Sequence, residues 1–354
     1  DQLVAQVGDY RAATTWALAA EDLDLAVRLV AGYCGASYYR IGYDALDWLG
    51  KDAAELAEPD RPLSAELLGL LARRAVFAGE HQIGRELAER ALALDPGAGS
   101  MQARSQMAII CNAEGDASSI DWAQSAVDVA EPAGDHLGVL LGCLILGPTL
   151  ARMGRVDEAE EVGHRVMELA DARDSDHARG WGHLILGVAL GRTDSEQSQR
   201  HLSAATRLGR AEKNRYLESN ALVAALQAHL ARDSPAVAAK EVLSTLTQLR
   251  DAADNGFFTR RVLELVAIFL ARQGIADAWK LDGHLRAFHD SGRTSGSRPA
   301  RHGAIQELAD RLDPSRIAEL SRTGSRLDAD GALAVATRAL DDLAADRHDD
   351  ADGG

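Results

Sequence analysis

Aromatic residues are scarce in this sequence, where Phe, Trp and Tyr together make up only 5% of 354 residues. Runs of β-branched residues are also rare, whereas Ala and Leu recur throughout, and this composition favours α-helix over β-strand. Hydrophobic residues at 46% and charged residues at 26% are typical of a folded chain rather than a disordered one. The sequence therefore predicts an all-α protein.

Long apolar runs and excess positive charge are missing as well. Because no stretch of about eighteen uncharged apolar residues is present, we expect no membrane-spanning helix and no membrane partner. The 38 Lys and Arg residues against 54 Asp and Glu residues give a net charge of −16. A chain this acidic repels a phosphate backbone, which argues against nucleic acid as a partner of this segment.

Cysteine is limited to Cys34, Cys111 and Cys143, which lie far apart within apolar stretches. This odd number and wide spacing indicate reduced thiols packed as small hydrophobic side chains, so we expect a cytoplasmic protein. The sequence starts at Asp1 without the basic start and apolar core of a signal peptide. Helical periodicity begins at once, and we expect the chain to be part of a longer protein.

A forty-residue repeat organises the middle of the chain. Leu-Ala-Arg or Leu-Gly-Arg recurs at constant spacing at 150–152, 190–192, 230–232 and 270–272. A short polar break and a second amphipathic stretch follow each triplet, which is typical of two helices joined by a turn. Stacked two-helix units of fixed period predict an α-solenoid of antiparallel helix pairs.

Gly147 and Ala159 stand at the separation of the Gly and Ala that let two helices approach closely in tetratricopeptide repeats. The array resembles that family, although its period is longer and its later units are degenerate. We therefore expect a tetratricopeptide-like superhelix, and Pro148 inside a helix predicts a local kink. The alternative is an all-helical domain without repeats.

The expected organisation has five parts. They are an N-terminal entry segment at 1–60, a repeat array at 61–290 with its clear units at 134–290, a linker at 291–300, C-terminal capping helices at 301–344 and an acidic disordered tail at 345–354. In the array before residue 134, we expect helices near 64–79, 81–94, 100–114 and 117–131, with breaks at Gly79 and Gly115.

The tetratricopeptide register also predicts the lining of a concave face. The candidates for binding a partner there are Leu141, Leu144, Pro148, Trp181, Leu184, Val188, Ala224, Arg261 and Glu264. Exposed apolar area of this kind is typical of a surface that binds a helix, a peptide or a small ligand. In the alternative, long helices shift the register and bury the same residues between units.

Four arginines close the first helices of the repeats: Arg152, Arg192, Arg232 and Arg272. One interpretation is that their charges complement the exposed carbonyl groups and the dipole at each helix end. The other is an arginine ladder along one edge of the solenoid, which would bind an acidic partner or a phosphorylated segment.

Motifs for catalysis, metal binding and nucleotide binding are missing from the sequence. It contains no GxxxxGK[ST] loop, no GxSxG elbow and no HExxH pair. Asp328-Ala329-Asp330-Gly331 resembles part of a calcium loop, but Arg326 stands at the first ligand position, so we expect a helix cap. We therefore expect no catalytic residue, no metal and no cofactor in this chain.

Both ends of the chain carry recognisable motifs. They are Arg11-Ala12-Ala13, Trp16-Ala17, Glu21-Asp22, Tyr38-Tyr39, Gly42 and Trp48-Leu49 near the start, and Gly324 and Leu327 before an Ala-rich last helix. These segments resemble the C-terminal helical repeat region of large bacterial signal-transduction ATPases of the STAND or AAA type. Asp9-Tyr10 departs from the Asp-Asn that this family often has.

The resemblance implies a parent protein with a nucleotide-binding domain and an effector, such as a LuxR-type or SARP-type transcriptional regulator or a class III adenylate cyclase. We expect this segment to be a non-catalytic sensor and scaffold. Its expected partner is a protein or peptide, the ATPase domain of the same chain, or a small-molecule inducer. The alternative is a structural or oligomerisation module whose concave face is filled by its own chain.

Overall fold

The structure of the protein is a computed structural model. It describes residues 7–37, 52–61, 63–232, 234–251, 257–290 and 298–345. Within these ranges the secondary structure consists of α-helices and two short 3₁₀ helices, with no β-strand. None of the described helices is both long and apolar enough to span a bilayer.

The helices group into two compact units. Unit 1 comprises the described residues within 1–112, 116–190 and 203–218, and unit 2 comprises those within 113–115, 191–202 and 219–354. The first nine helices are α1 (Val7–Ala19), α2 (Leu23–Ser37), α3 (Ser64–Phe77), α4 (His81–Leu94), α5 (Met101–Glu114), α6 (Ser119–Ala130), α7 (His136–Arg152), α8 (Val156–Ala172) and α9 (Asp176–Ala189). The 3₁₀ helices are Asp52–Leu56 and Ala98–Ser100.

Helices of unit 1 pack on their neighbours in the chain. α3 packs on α4, α6 on α7, α7 on α8 and α8 on α9, while α7 also contacts α9. The predicted breaks at Gly79 and Gly115 are confirmed, since each glycine follows a helix, with φ angles of 82° and 78°. The break after the triplet at 150–152 likewise contains a glycine, Gly154, with a φ angle of 80°. Glycine adopts this left-handed conformation without a steric cost, which is why it ends these helices. The prediction of an all-α fold of packed helix pairs is therefore confirmed for the described residues.

One apolar cluster runs through five successive helices, α5 to α9. Its members are Ala108, Ala123, Leu146, Leu150, Ala151, Ala159 and Ala189. Small alanine side chains dominate, so neighbouring helix axes can come close together. Burial of such shared faces is what stabilises a stack of helix pairs, because no single pair covers its own apolar surface.

The close approach at Gly147 differs from the expectation. A Cβ atom on Gly147 would lie 2.5 Å from Cγ2 of Ile185 in α9, but 3.5 Å from Cγ1 of Val162 in α8. The glycine therefore makes room for the first helix of the following pair rather than for its own partner helix. This relationship depends on the tertiary register of the stack, which a sequence pattern alone does not fix.

The remaining helices are α10 (Ser195–Ala211), α11 (Arg215–Arg232), α12 (Pro235–Asp251), α13 (Phe257–Arg272), α14 (Ala278–Asp290), α15 (Arg298–Ala309), α16 (Pro314–Gly324) and α17 (Ala329–Ala345). In unit 2, α15 packs on α13, α16 on α14, and α17 on α12. The predicted linker 291–300 overlaps the start of α15 at Arg298. Its residues 291–297, like most of the predicted tail (346–354), lie outside the described residues.

Candidate functional site

All nine predicted concave-face residues are buried or half-buried. Leu141, Trp181, Leu184 and Glu264 are buried, with at most 8% of each side chain exposed. Half-buried are Leu144, Pro148, Val188, Ala224 and Arg261. Such burial is what the shifted-register alternative describes. The partner-binding role of these residues and the kink at Pro148, which lies inside α7, stay predictions.

Trp181 has specific polar and aromatic neighbours within unit 1. Its Nε1–H donates to Nε2 of His177 at 3.0 Å, and its ring centroid lies 5.7 Å from that of Tyr216. The amide nitrogen of Asn214 lies 3.1 Å from Nδ1 of the same imidazole. Burial lowers the pKa of His177 to about 4. A protonated ring would have no nitrogen left to accept from Trp181, so this contact also requires the neutral form.

Glu264 belongs to a buried ionic cluster of unit 2. Its carboxylate accepts from Nη1 of Arg301 at 2.9 Å, and Nε of Arg301 lies 3.1 Å from Asp282. Arg286 Nε approaches the other oxygen of Asp282 at 2.6 Å, as an ion pair without hydrogen-bond alignment. Burial raises the pKa of Asp282, while Arg286 and Arg301 oppose that rise. Arg261, a neighbouring candidate, donates to Asn220 Oδ1 at 3.5 Å.

The predicted arginine ladder is only partly visible. Arg152 and Arg272 are exposed and lie in the last turns of α7 and α13, where the helix dipole favours a cation. Arg192 is exposed but lies three residues beyond the end of α9. The side chain of Arg232 lies outside the described residues. Both interpretations of these arginines stay predictions.

A cleft of about 750 Å³ in unit 1 brings together residues that are distant in sequence. We call it the α3 cleft, because α3 forms one wall. The other walls come from α2, from residues 59–61 and Leu63, from the end of α4 with Ala98 and Gly99, from the start of α5, and from α7 with the residue before it. Of the predicted concave-face residues, only Leu141 is among those lining the cleft. This volume is within the range of about 300–1,000 Å³ found for small-molecule sites.

The rim of the α3 cleft is shaped by a short acidic and glycine-rich turn. Asp95 Oδ1 accepts from the backbone N–H of Gly97 at 2.6 Å, and its Oδ2 accepts from that of Gly99 at 3.0 Å. Ser100 Oγ donates to the carbonyl oxygen of Gly97 at 2.8 Å. A Cβ on Gly99 would collide with Oδ2 of Asp95, so a larger residue there would displace this carboxylate from the turn. Both carboxylate oxygens of Asp95 are thus used in holding the turn.

Glu66 lines the cleft from the first turn of α3 and is half-buried. Burial raises its pKa, and the charge of Asp135 raises it further. Asp135 lies at the start of α7, where its Oδ1 accepts from the N–H of Gly138 at 2.9 Å. No hydrogen bond or ion pair engages Glu66 within the part of the chain that the structure describes.

Two guanidinium groups also line the α3 cleft, and both have other contacts. Arg61 Nη1 donates to the backbone oxygen of Leu56 at 3.3 Å. Arg73 is only 4% exposed, and its guanidinium lies 5.6 Å from the ring centroid of Phe77. Neither group lowers the pKa of Glu66.

The sequence interpretation missed this cleft, because Glu66 and Arg73 lie in a stretch that shows only helical periodicity. The one local signal was Asp95-Pro96-Gly97-Ala98-Gly99, whose composition is typical of a tight turn. Comparison with protein-family models and with curated proteins finds no match for this chain.

Proposed function

We propose that this chain is a non-catalytic sensing module that binds a ligand through the α3 cleft. The observation that carries this proposal is the cleft itself, which combines a volume suited to a small molecule with apolar walls and convergent charged groups. Leu70, Met101 and Leu141 provide apolar surface, and Glu66 and Asp135 provide charge. This combination is typical of sites that bury a ligand and fix its orientation.

The helix-pair architecture supports a sensing role. Walls of the cleft come from α3, α5 and α7, so one ligand contacts several helices of unit 1 at once. A ligand that binds one packing of these helices more tightly than another shifts the population toward that packing. Such a shift can be passed on to another domain.

The proposed setting is a cytoplasmic signal-transduction ATPase of the STAND type that regulates transcription through a LuxR-type or SARP-type effector. Its support is the resemblance at both ends of the chain, from the Arg11-Ala12-Ala13 motif to Gly324 and Leu327. In that setting the tetratricopeptide-like region receives the signal, and the nucleotide-binding domain responds.

A structural or oligomerisation module is the second candidate. The burial of Trp181 and Leu184 favours it, because residues expected on a binding face pack inside the protein instead. This candidate predicts that the α3 cleft has no ligand of its own.

The two candidates are separated by blocking the cleft. Ala98 lines the cleft and is exposed, so Ala98→Trp places an indole at its mouth with little risk to folding. Ala172→Trp, at the exposed end of α8, is the matched control. We expect ligand-observed NMR with amines, carboxylates and neutral compounds to detect binding to the full chain that Ala98→Trp abolishes and Ala172→Trp retains. Absence of binding, or equal binding by both variants, would contradict the sensing proposal.

A further inference from the structure

We infer that the α3 cleft binds an organic cation, whose ammonium or guanidinium group lies beside Glu66 and Asp135 and whose apolar body contacts Leu70, Met101 and Leu141. This inference rests on the proposed function, because it names the ligand class of the same cleft.

The charges that line the cleft are unequal. The lining residues include four acidic and two basic side chains. The acidic ones are Asp60, Glu66, Asp95 and Asp135, and the basic ones are Arg61 and Arg73. An anionic ligand would enter a site with an excess of negative charge, which is unfavourable. A cationic ligand would offset that excess.

The carboxylates also differ in what already binds them. Asp95 uses both oxygens to hold the turn through Gly97 and Gly99, and Asp135 uses one oxygen to cap α7. Glu66 has no hydrogen-bonding or ion-pairing partner among the described residues. The cation site therefore centres on Glu66, and Asp135, which also lines the cleft, adds a second negative charge.

Burying the Glu66 carboxylate without a counter-ion destabilises the folded protein when the carboxylate is charged. The raised pKa of Glu66 reports that cost, since its charged form is disfavoured by burial and by Asp135. A bound ammonium group would donate hydrogen bonds to this carboxylate and favour its charged form. Because a cation would relieve the unfavourable burial of this charge, Glu66 favours cationic ligands over neutral or anionic ones.

The apolar residues of the cleft indicate that the part of the ligand beyond its cationic group is apolar. Besides Leu70, Met101 and Leu141, Leu94 and Leu137 also line this space. An alkyl chain or a hydrophobic peptide segment gains free energy by covering such a surface. The ligand is therefore amphipathic, with a cationic end and an apolar body, and either a free amine or a lysine side chain of a peptide has this chemistry.

Calorimetric titration of the full chain tests the inference with probes that differ only in charge. The free-amine arm compares octylammonium with octanol and octanoate, and the peptide arm compares blocked Leu-Lys-Leu with blocked Leu-Gln-Leu. We expect the cationic probe of at least one arm to bind about tenfold or more tightly than its neutral counterpart, as a charge-assisted hydrogen bond requires. The arm that binds more tightly identifies a free amine or a peptide side chain as the source.

Glu66→Gln removes the charge and keeps the volume of the side chain. We expect it to weaken cation binding about tenfold, whereas the control Glu168→Gln, on the exposed face of α8, leaves binding unchanged. Circular dichroism checks that both variants fold.

The outcomes separate this inference from the sensing proposal. Equal binding of charged and neutral probes, lost in Ala98→Trp, would overturn the cation inference and leave the sensing proposal standing. Undiminished cation binding by Glu66→Gln would overturn the inference in the same way. Absence of binding by every probe would overturn both.

Discussion

The indole N–H of Trp181 donates to Nε2 of His177, which lies one turn earlier on α9, at 3.0 Å. The acceptor nitrogen must be unprotonated, so the pair holds the imidazole neutral. Burial acts in the same direction, and the pKa of His177 falls to about 4. Protonation of His177 at low pH would therefore break the hydrogen bond that holds the buried Trp181.

We expect acid to destabilise unit 1 through His177. Because the pKa of His177 is about 4 in the folded state, whereas an unperturbed histidine has a pKa of 6.5, the unfolded state binds the additional proton between those values. Stability is therefore lost as the pH falls from about 6.5 toward about 4, by on the order of 3 kcal/mol. Urea unfolding at a series of pH values measures this loss.

Two variants isolate the contribution of His177. His177→Gln keeps an acceptor for Trp181 and should remove this part of the pH dependence. His164→Gln, which changes an exposed histidine on α8, should retain it. Identical pH profiles for the two variants would show that His177 is not the responsible group.

The ionic cluster of unit 2 predicts a large effect of removing one arginine. Arg301→Ala deletes the guanidinium that both Glu264 and Asp282 contact inside the protein. Removal of one partner from a buried pair typically costs about 3–5 kcal/mol, because buried charge loses its compensation. Arg316→Ala disrupts an exposed pair with Glu319 and should cost at most about 1 kcal/mol. Urea unfolding measures both losses. Equal losses of unfolding free energy in the two variants would contradict the prediction that the buried cluster depends on Arg301.

Two Gly→Ala substitutions should have opposite effects on stability, because one glycine lies where α7 packs closely on α9 and the other lies on an open helix surface. Gly147→Ala places a methyl group 2.5 Å from Cγ2 of the buried Ile185, and overpacking of this kind costs about 1–3 kcal/mol. Gly32→Ala, in α2, meets no described atom within 4 Å and should stabilise by about 0.5–1 kcal/mol through helix propensity. Thermal unfolding compares them, and a stabilising Gly147→Ala would disprove the close contact.

Because burial disfavours the charged form of Glu66, we expect Glu66→Gln to raise the free energy of unfolding at neutral pH. The folded pKa of Glu66 is raised above 4.5, so the folded state retains a proton that the unfolded state has already lost. Stability therefore falls as the pH rises from 4.5 through the folded pKa. Glu66→Gln should be more stable than the native chain at pH 7 and should lose this advantage near pH 4. A destabilised Glu66→Gln at pH 7 would mean that Glu66 has a favourable partner.

Local features of the fold were predictable from the sequence, and long-range ones were not. Glycine at Gly79 and Gly115 ends a helix because glycine alone adopts the left-handed backbone without strain, so these breaks could be placed from the sequence. Gly147 was correctly recognised as a point of close approach, but its nearest neighbour, Ile185, is set by how helices stack. The α3 cleft escaped prediction because Glu66, Met101 and Leu141 converge only in three dimensions.

The burial of Trp181 illustrates the same limit. Its spacing within the repeat indicated an inward-facing side chain, but period alone does not distinguish an open concave face from a packed interior. The hydrogen bond to His177 and the ring contact with Tyr216 depend on residues on α9 and α11 together.

Binding of an organic cation in the α3 cleft is tested most directly by amide hydrogen exchange of the full chain with and without octylammonium. We predict slower exchange in Ser64–Leu70 and Gly97–Gln102, which contain lining residues, and unchanged exchange in α8 as the internal reference. Protection that appeared only in α8, or no protection at saturating amine, would contradict a cation site in this cleft.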